Sequence, residues 1–108
     1  LFTLSTGIND LFNNIAESKL AQNDPNPFSV KTTIPYQIKE ASDVKLTIYD
    51  LLGRKVAVLV NEHQEAGHYS IDWFIKDGNE KQLSNGLYMY QLKTNNSSVQ
   101  IKKASLIK

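Results

Sequence analysis

The side chains most suited to binding a metal ion lie in one short stretch that contains both histidines. Glu62, His63, Glu65 and His68 fall within seven residues. Zn²⁺ needs ligands that converge on it at about 2 Å, whereas residues 61–68 are predicted to form a flexible polar loop. Their order, E-H-x-E-x-x-H, also differs from the helical zinc motif H-E-x-x-H. A solvated loop is the favoured interpretation, and a metal site is the alternative.

Other signatures of catalysis are missing from the sequence. The chain has no cysteine, which excludes disulfides, thiolate zinc ligands and cysteine nucleophiles. No serine stands in a G-x-S-x-G setting, and neither glycine-rich phosphate loop is present. Asp72 has no second carboxylate at a recognisable spacing. We therefore expect that the chain is not an enzyme and that it binds no cofactor.

Length and composition are those of one globular domain. The 108 residues are 41% hydrophobic and 21% charged, with a net charge of +1. This balance gives no basis for binding nucleic acid, and no run reaches the ~18 apolar residues of a membrane span. No basic-then-apolar signal peptide opens the chain. Because the first residue is Leu1 rather than Met, we expect a fragment of a longer protein.

A central hairpin over residues 44–60 is the clearest element. Strict alternation of side-chain type predicts two strands with one buried face each. The residues predicted to be buried are Val44, Leu46, Ile48, Val56, Val58 and Val60. Between the strands, Asp50 and Gly53 suit a type I turn followed by a glycine bulge. Leu51 and Leu52 are unusual at a turn tip, so they either plug the end of a core or contact something else.

Further strands are predicted near Leu20 and over residues 30–38, 69–75, 87–94 and 99–108. Pro35 cannot donate to a ladder, which suggests an edge strand. A change of phase around Lys102 and Lys103 predicts a β-bulge. Phe28 and Leu83 are the expected anchors of two long connections. Seven strands without a helix predict an all-β domain, a seven-stranded antiparallel immunoglobulin-like β-sandwich.

Residues 1–19 differ from the rest and are assigned to a linker or the end of a preceding domain. Apolar residues at helical spacing predict about two turns of helix, formed by Ile8, Leu11, Phe12 and Ile15. A loosely ordered tail explains this stretch equally well. The domain proper is assigned to residues 20–108, and it includes a long polar loop over 76–85.

The aromatic residues and the lysines each allow a structural and a functional interpretation. Trp73 shares a predicted strand face with Ile71 and Ile75, which favours a core residue over a sugar-binding platform. Tyr49 lies on the opposite face from Leu46 and is expected to be exposed.

From Lys93 onward the chain has four lysines and no acid. They either protect an edge strand from aggregation or form a tail that another protein recognises.

Five short motifs follow one another in a specific order. They are P-N-P-F at 25–28, I-Y-D-L-L-G-R-K-V at 48–56, A-G at 66–67, S-N-G-L-Y at 84–88 and K-K-x-x-L-I-K at 102–108. The ordered set closely resembles the type A C-terminal sorting domain of the type IX (Por) secretion system of Bacteroidota. The resemblance covers residues 20–108. T-G-I-N-D at 6–10 also resembles the junction that often precedes such domains.

The resemblance implies a non-enzymatic sorting signal at the end of a cargo protein. The implied partners are the outer-membrane translocon, shuttle proteins, a surface sortase and the N-terminal cargo domain. The implied route passes through the periplasm to the cell surface or the medium, and removal by the sortase would fall before Leu20. The residues implied for translocon recognition are Gly86, Leu87, Tyr88, Lys102, Lys103, Leu106, Ile107 and Lys108. Those implied to be structural are Pro25, Asn26, Pro27, Phe28, Asp50, Gly53 and Gly67.

Strand addition to a free sheet edge near Lys108 is one mode of recognition that these residues would allow. The alternative function comes from a different class. An accessory β-sandwich of an extracellular enzyme would bind carbohydrate or act as a spacer. Carbohydrate binding would require a row of exposed aromatic side chains, such as one that included Tyr49.

Overall fold

The computed structural model of the protein describes residues 17–75 and 83–108. Within these ranges every regular element is a strand. The strands are β1 (Lys19–Leu20), β2 (Lys31–Ile38), β3 (Ser42–Tyr49), β4 (Lys55–Gln64), β5 (Gly67–Phe74), β6 (Gly86–Thr94) and β7 (Ser97–Leu106). No described segment forms a helix of the length and hydropathy that a membrane crossing requires.

Two antiparallel sheets pack face to face and confirm the predicted seven-stranded β-sandwich. One sheet has the order β1-β2-β5 and the other has the order β4-β3-β6-β7. In constant-type immunoglobulin domains the fourth strand belongs to the sheet of the first two. Here β4 pairs with β3 instead, because the tight turn at residues 50–53 keeps the two strands adjacent in one sheet.

The core lies between the sheets and is built from the inward face of each strand. Trp73 is its largest fully buried side chain. The indole packs at 5.0 Å from the Phe28 ring and at 5.5 Å, edge-on, from the Tyr88 ring. Trp73 is therefore a core residue and not a sugar platform, and Phe28 anchors its segment as predicted. Leu83, the second predicted anchor, also packs against the core.

The central hairpin has the predicted turn but not the predicted second strand. The N–H of Gly53 donates to the carbonyl of Asp50 at 3.0 Å, and Gly53 has φ of +81°. In β4, however, the pairing with β3 skips Val56 and Leu59. Two bulges therefore change the phase of the strand, and Val58 is 41% exposed. The prediction that the three valines share one buried face is wrong, because each bulge turns the following residues over.

The stretch predicted as a polar loop is mostly strand. β4 continues to Gln64, which pairs with Ser42, and β5 begins at Gly67. Only Glu65 and Ala66 connect the two strands. The Tyr36 hydroxyl from the other sheet donates to Gln64 Oε1 at 2.8 Å. The loop assignment was wrong because exposed strand residues at a sheet edge carry the same polar composition as a loop.

The bulge in β7 lies elsewhere than predicted. Leu92 pairs with Gln100 whereas Lys93 pairs with Ser98, so Val99 is the extra residue. From Gln100 onward the alternation is regular, and Lys102 and Lys103 point to opposite sides of the sheet. Ile101 consequently lies on the outer face and is 55% exposed.

Pro35 does not mark an edge strand, since β2 is the middle strand of its sheet. Its carbonyl accepts the N–H of Ala21 at 2.9 Å, but proline has no N–H to return. The Ala21 carbonyl is satisfied instead by the Tyr90 hydroxyl at 2.8 Å. The same hydroxyl accepts the N–H of Asn23 at 2.8 Å. Tyr90, fully buried on β6, thus ties the segment after β1 to the opposite sheet.

Several predictions fall on residues outside the described ranges. The helical spacing of Ile8 to Ile15 lies there, as does most of the polar loop over 76–85. β1 begins at Lys19, one residue before the predicted domain start. Glu17 and Ser18 are already bound to the sandwich, because the Glu17 carbonyl accepts Gln37 Nε2 and Ser18 Oγ accepts the N–H of Lys39.

Replacing Tyr90 with Phe should destabilise the domain. The change leaves the Ala21 carbonyl and the Asn23 amide without their buried partner. An unsatisfied buried polar group costs roughly 1–3 kcal/mol, so we expect a loss of that size in urea denaturation at pH 7. Tyr49→Phe is the matched control, because its hydroxyl lies 3.5 Å from Gln91 Oε1. Equal stability of Tyr90→Phe and the parent would contradict this role.

Alkaline pH should weaken the same contact. Burial raises the pKa of Tyr90 to about 12, whereas the pKa of tyrosine in an unfolded chain is about 10. The stability that the neutral hydroxyl contributes is complete below the unfolded pKa and is lost as pH rises through the folded one. Between these values the parent should lose more stability than Tyr90→Phe, as followed by circular dichroism.

Candidate functional site

The first and last sequence motifs are joined by backbone hydrogen bonds. The N–H of Phe28 donates to the carbonyl of Ser105 at 3.0 Å, and the N–H of Ile107 donates to the carbonyl of Phe28 at 2.9 Å. This is a parallel bridge centred on Phe28 and Leu106. Residues 78 positions apart in the chain therefore form a short extension of the four-stranded sheet beyond β7.

Side-chain amides complete the cover over this edge. The N–H of Ser105 donates to Asn26 Oδ1 at 2.8 Å, and Gln22 Nε2 donates to the carbonyl of Lys103 at 2.7 Å. The outward backbone groups of Lys103, Ser105 and Ile107 thus have partners within the chain. A foreign strand cannot pair there while residues 22–28 remain in place.

The start of β6 lies on the other side of the same strand end. Gly86 pairs with Leu106 and Leu87 pairs with Ser105. The N–H of Lys108 donates to Asn85 Oδ1 at 2.9 Å, which ties down the last residue. We call the meeting point of residues 26–28, 84–88 and 105–108 the motif corner.

The residues implied for recognition are close together but differ in accessibility. Tyr88 and Leu106 are buried in the core, and Leu87 and Lys102 are half-buried. Lys102 shares the inward face of its sheet with Tyr90. The exposed members of the set are Gly86, Lys103, Ile107 and Lys108. A partner that binds the folded domain can therefore contact these four, whereas Tyr88 and Leu106 hold them in position.

A groove runs between the β3–β4 turn and the start of β6. It has a volume of about 260 Å³ and is lined by residues 50–52, 54 and 84–88. Leu51 and Leu52 project from the turn at 61% and 78% exposure. They do not plug the end of the core. The other interpretation, that they contact something else, therefore remains. The groove itself was not predicted, although two leucines at a turn tip were a signal of it.

The carboxylate of Asp50 fixes the turn side of the groove. Asp50 Oδ1 accepts the N–H groups of Leu52 and Arg54, each at 2.9 Å, and Oδ2 accepts Arg54 Nε at 2.8 Å. These contacts hold the pKa of Asp50 below its usual range. The largest contribution comes from the backbone N–H of Arg54, followed by the Arg54 guanidinium and the N–H of Leu52. The carboxylate is therefore ionised at neutral pH and can accept all three hydrogen bonds.

Tyr88 forms the floor on the opposite side. Its hydroxyl donates to the carbonyl of Ser84 at 2.6 Å. Burial, and secondarily the charge of Asp50, raises the pKa of the Tyr88 hydroxyl. The hydroxyl stays protonated at neutral pH and can keep donating to Ser84. The groove offers apolar side chains and hydrogen-bonding groups but no pair of groups arranged for acid–base catalysis.

The residues implied to be structural lie at turns and packing contacts. Gly53 closes the hairpin and Gly67 opens β5. The carbonyl of Pro25 accepts the buried hydroxyl of Thr32 at 2.8 Å. Pro27 is exposed between Asn26 and Phe28, the two residues that bind the edge of β7.

The two histidines do not gather a ligand set. His63 Nδ1 lies 3.1 Å from Asp43 Oδ1, and His63 Nε2 lies 3.4 Å from Glu65 Oε2, all on the surface. In the described part of the chain no three His, Cys, Asp or Glu residues are placed to hold a metal. The exposed aromatic rings are also dispersed, since Phe74 and the half-buried Tyr49 lie on different sheets.

A family model described as the secretion system C-terminal sorting domain matches residues 25–107. The chain belongs to this family. The match begins at Pro25 and ends at Ile107, so it includes all three segments of the motif corner except Lys108. The resemblance to the type IX secretion sorting domains is thereby confirmed.

Solved structures show the same fold in proteins of low sequence identity. Dimeric latent PorU from Porphyromonas gingivalis matches with a TM-score of 0.69 and 21% identity over 86% of this chain. Pseudomonas fluorescens alkylpurine DNA glycosylase AlkC, bound to DNA containing an abasic site analog, matches with a TM-score of 0.61 and 14% identity over 87% of this chain. The chain spans 10% of the PorU chain and 31% of the AlkC chain. A comparison with curated protein sequences gives no match.

Replacing Asp50 with Asn should weaken the turn in a pH-dependent way. The stability contributed by the ionised carboxylate is complete above its unfolded pKa of about 4 and is lost as pH falls through the lower folded pKa. Asp50→Asn should therefore be less stable than the parent at pH 7, and the difference should shrink in acid. Thermal unfolding of both proteins from pH 7 to pH 2 measures this difference in stability.

Glu40→Gln serves as the matched control for Asp50→Asn. It removes one exposed carboxylate whose oxygens accept no hydrogen bond from the described residues. Its stability should follow that of the parent at neutral pH. A difference between Asp50→Asn and the parent that stayed constant from neutral to acid pH would contradict the role assigned to the charge.

Proposed function

We propose that the motif corner is the part of this sorting signal that the outer-membrane translocon of the type IX system recognises. The family makes the chain a C-terminal sorting signal of a non-catalytic kind, on a protein that ends up secreted or at the cell surface. The pairing of Phe28 with Ser105 and Ile107 carries the proposal. It brings the first and last motifs of the family together on one surface.

Recognition is proposed to use the folded surface rather than strand addition. The edge of β7 from Lys103 to Ile107 is already bonded to residues 22–28. Phe28 lies 5.0 Å from Trp73 in the core, and losing a buried Phe costs about 3–5 kcal/mol. Displacing the segment would therefore be expensive. The groove with Leu51 and Leu52 remains open to a partner.

The exposed part of the corner combines apolar and positive groups. Ile107 is 58% exposed, and Lys103, Arg54 and Lys108 are exposed near it. Apolar anchors surrounded by charges are the usual anatomy of a protein–protein interface. The partner is proposed to insert an apolar side chain beside Leu52 and to place acidic groups near the cations.

The remaining steps follow the family's route and are proposed for this chain on that basis. The cargo enters the periplasm, shuttle proteins deliver it, and the translocon exports it. A surface sortase then removes the domain in the linker before Leu20. Most of that linker, residues 1–16, lies outside the described part of the chain.

A secretion assay tests the proposal. The full 108-residue chain is fused to a periplasm-targeted fluorescent protein in a bacterium with type IX secretion. Leu52→Asp changes the groove beside the motif corner, and Ile107→Asp changes the corner itself. Both residues are exposed, so the fold should persist. We expect secretion to fall by about tenfold or more, as loss of a buried apolar anchor costs at least about 1.4 kcal/mol.

Asn96→Asp is the matched control, since it adds the same charge in the exposed β6–β7 turn at the opposite end of the sheet. It should be secreted like the parent, and a translocon-deficient strain should secrete none of the fusions. Normal secretion of Leu52→Asp and Ile107→Asp, with melting temperatures equal to the parent, would refute recognition at the motif corner. Periplasmic retention of the parent fusion would refute the sorting role itself.

A further inference from the structure

Three rows on the outer face of the four-stranded sheet cross all four strands. The middle row is Val58–Thr47–Gln91–Ile101, the row on one side is Asn61–Lys45–Lys93–Ser98, and the row on the other side is Lys55–Tyr49–Met89–Lys103. Neighbouring strands lie about 4.8 Å apart and alternate residues about 7 Å apart. We call these three rows the basic face.

Positive charge predominates in these rows, although the outward-facing Asp43 lies in the next row of the sheet, opposite His63. The whole chain has 12 Lys and Arg against 11 Asp and Glu, yet the three rows hold four lysines and no carboxylate. None of these lysines takes part in an ion pair between described residues, whose pairs involve Lys19, Lys31, Arg54 and His63. The four positive charges therefore face solvent without partners in the described chain.

Two of the lysines lie where their charges destabilise the sheet. Lys45 and Lys93 are direct cross-strand partners in β3 and β6. Like charges directly opposite each other in an antiparallel pair destabilise the sheet. A glutamate at either position would remove the repulsion, so the stability of the sheet does not account for this lysine pair.

The rows between the lysines have the composition of a protein interface. Val58 and Ile101 are 41% and 55% exposed at the two ends of the middle row. Tyr49 and Met89 are half-buried in the adjoining row. Met and Tyr are enriched in protein interfaces, whose centres are apolar and whose rims are charged. The groove between the β3–β4 turn and the start of β6 adjoins one corner of these rows.

We propose that the basic face docks on an acidic surface of a folded protein partner. The lysines would meet carboxylates of the partner, and Val58 and Ile101 would meet apolar side chains between them. Charge complementarity selects an acidic partner. The partly apolar centre, with Val58 and Ile101 exposed, favours a protein over a sulfated or phosphorylated glycan. This surface shares Lys103 with the cations proposed for translocon recognition, but its other residues lie outside the motif corner. The proposal therefore goes beyond the sorting role.

Site-specific photocrosslinking tests the proposal. Because the chain has no cysteine, Ile101→Cys provides a single attachment point for benzophenone-maleimide. The labelled full chain is illuminated with an envelope extract of the source bacterium, and crosslinked peptides are mapped by mass spectrometry. We expect a discrete protein adduct at an acidic segment, with a yield that falls as salt increases. Ser70→Cys, exposed on the other sheet, should give no such adduct.

The variant Lys45→Glu separates binding from folding. It turns the repulsive pair with Lys93 into an attractive one, so the melting temperature should rise by about 1–6 °C. Adduct formation should nevertheless fall by about fivefold or more, since a charge facing the partner is reversed. Lys39→Glu makes the same charge change on an exposed lysine outside the three rows and should keep the yield within about twofold.

Three outcomes would overturn the proposal. The first is the absence of a protein adduct at Ile101→Cys. The second is an adduct only with polysaccharide or lipid, which would identify a different class of partner. The third is an adduct whose yield is equal in Lys45→Glu and Lys39→Glu. Each result can be obtained whether or not the fusion protein is secreted, so failure here is distinct from failure of the sorting role.

Discussion

The pairing of Phe28 with Ser105 and Ile107 is the contact on which the arrangement of the motifs depends. It joins the proline-containing segment near the start of the domain to the last strand. Asn26 adds a side-chain hydrogen bond to Ser105, and Phe28 inserts its ring against Trp73. Tyr90 holds the preceding residues by their backbone. Without this set of contacts the end of β7 would be an open sheet edge.

Closing that edge has a consequence for how a sorting domain is recognised. An unpaired edge strand invites pairing with other chains. Here the edge is satisfied internally, and the exposed groups are side chains around the groove. The closed edge therefore supports the proposal that a partner recognises the folded surface rather than an extended tail.

Sequence alternation predicted much of the sandwich, and it failed where the backbone departs from a regular strand. β5 was predicted with the correct buried face, because its side chains alternate without interruption. β4 and β7 were not, since the extra residues Val56, Leu59 and Val99 shift the phase without a local sequence signal. The contact between Phe28 and Leu106 was beyond reach for another reason. It joins positions 78 residues apart, and the motif order gives no information about their proximity.

Hydrogen exchange of the Ser105 and Ile107 amides measures this central contact directly. Both amides donate to the segment that contains Asn26 and Phe28, so they should be protected like those in the middle of β6. In Phe28→Ala they should exchange much faster than the amides shared by β3 and β6. Rapid exchange of both amides in the parent protein would contradict the account, because the last strand would then have an open edge.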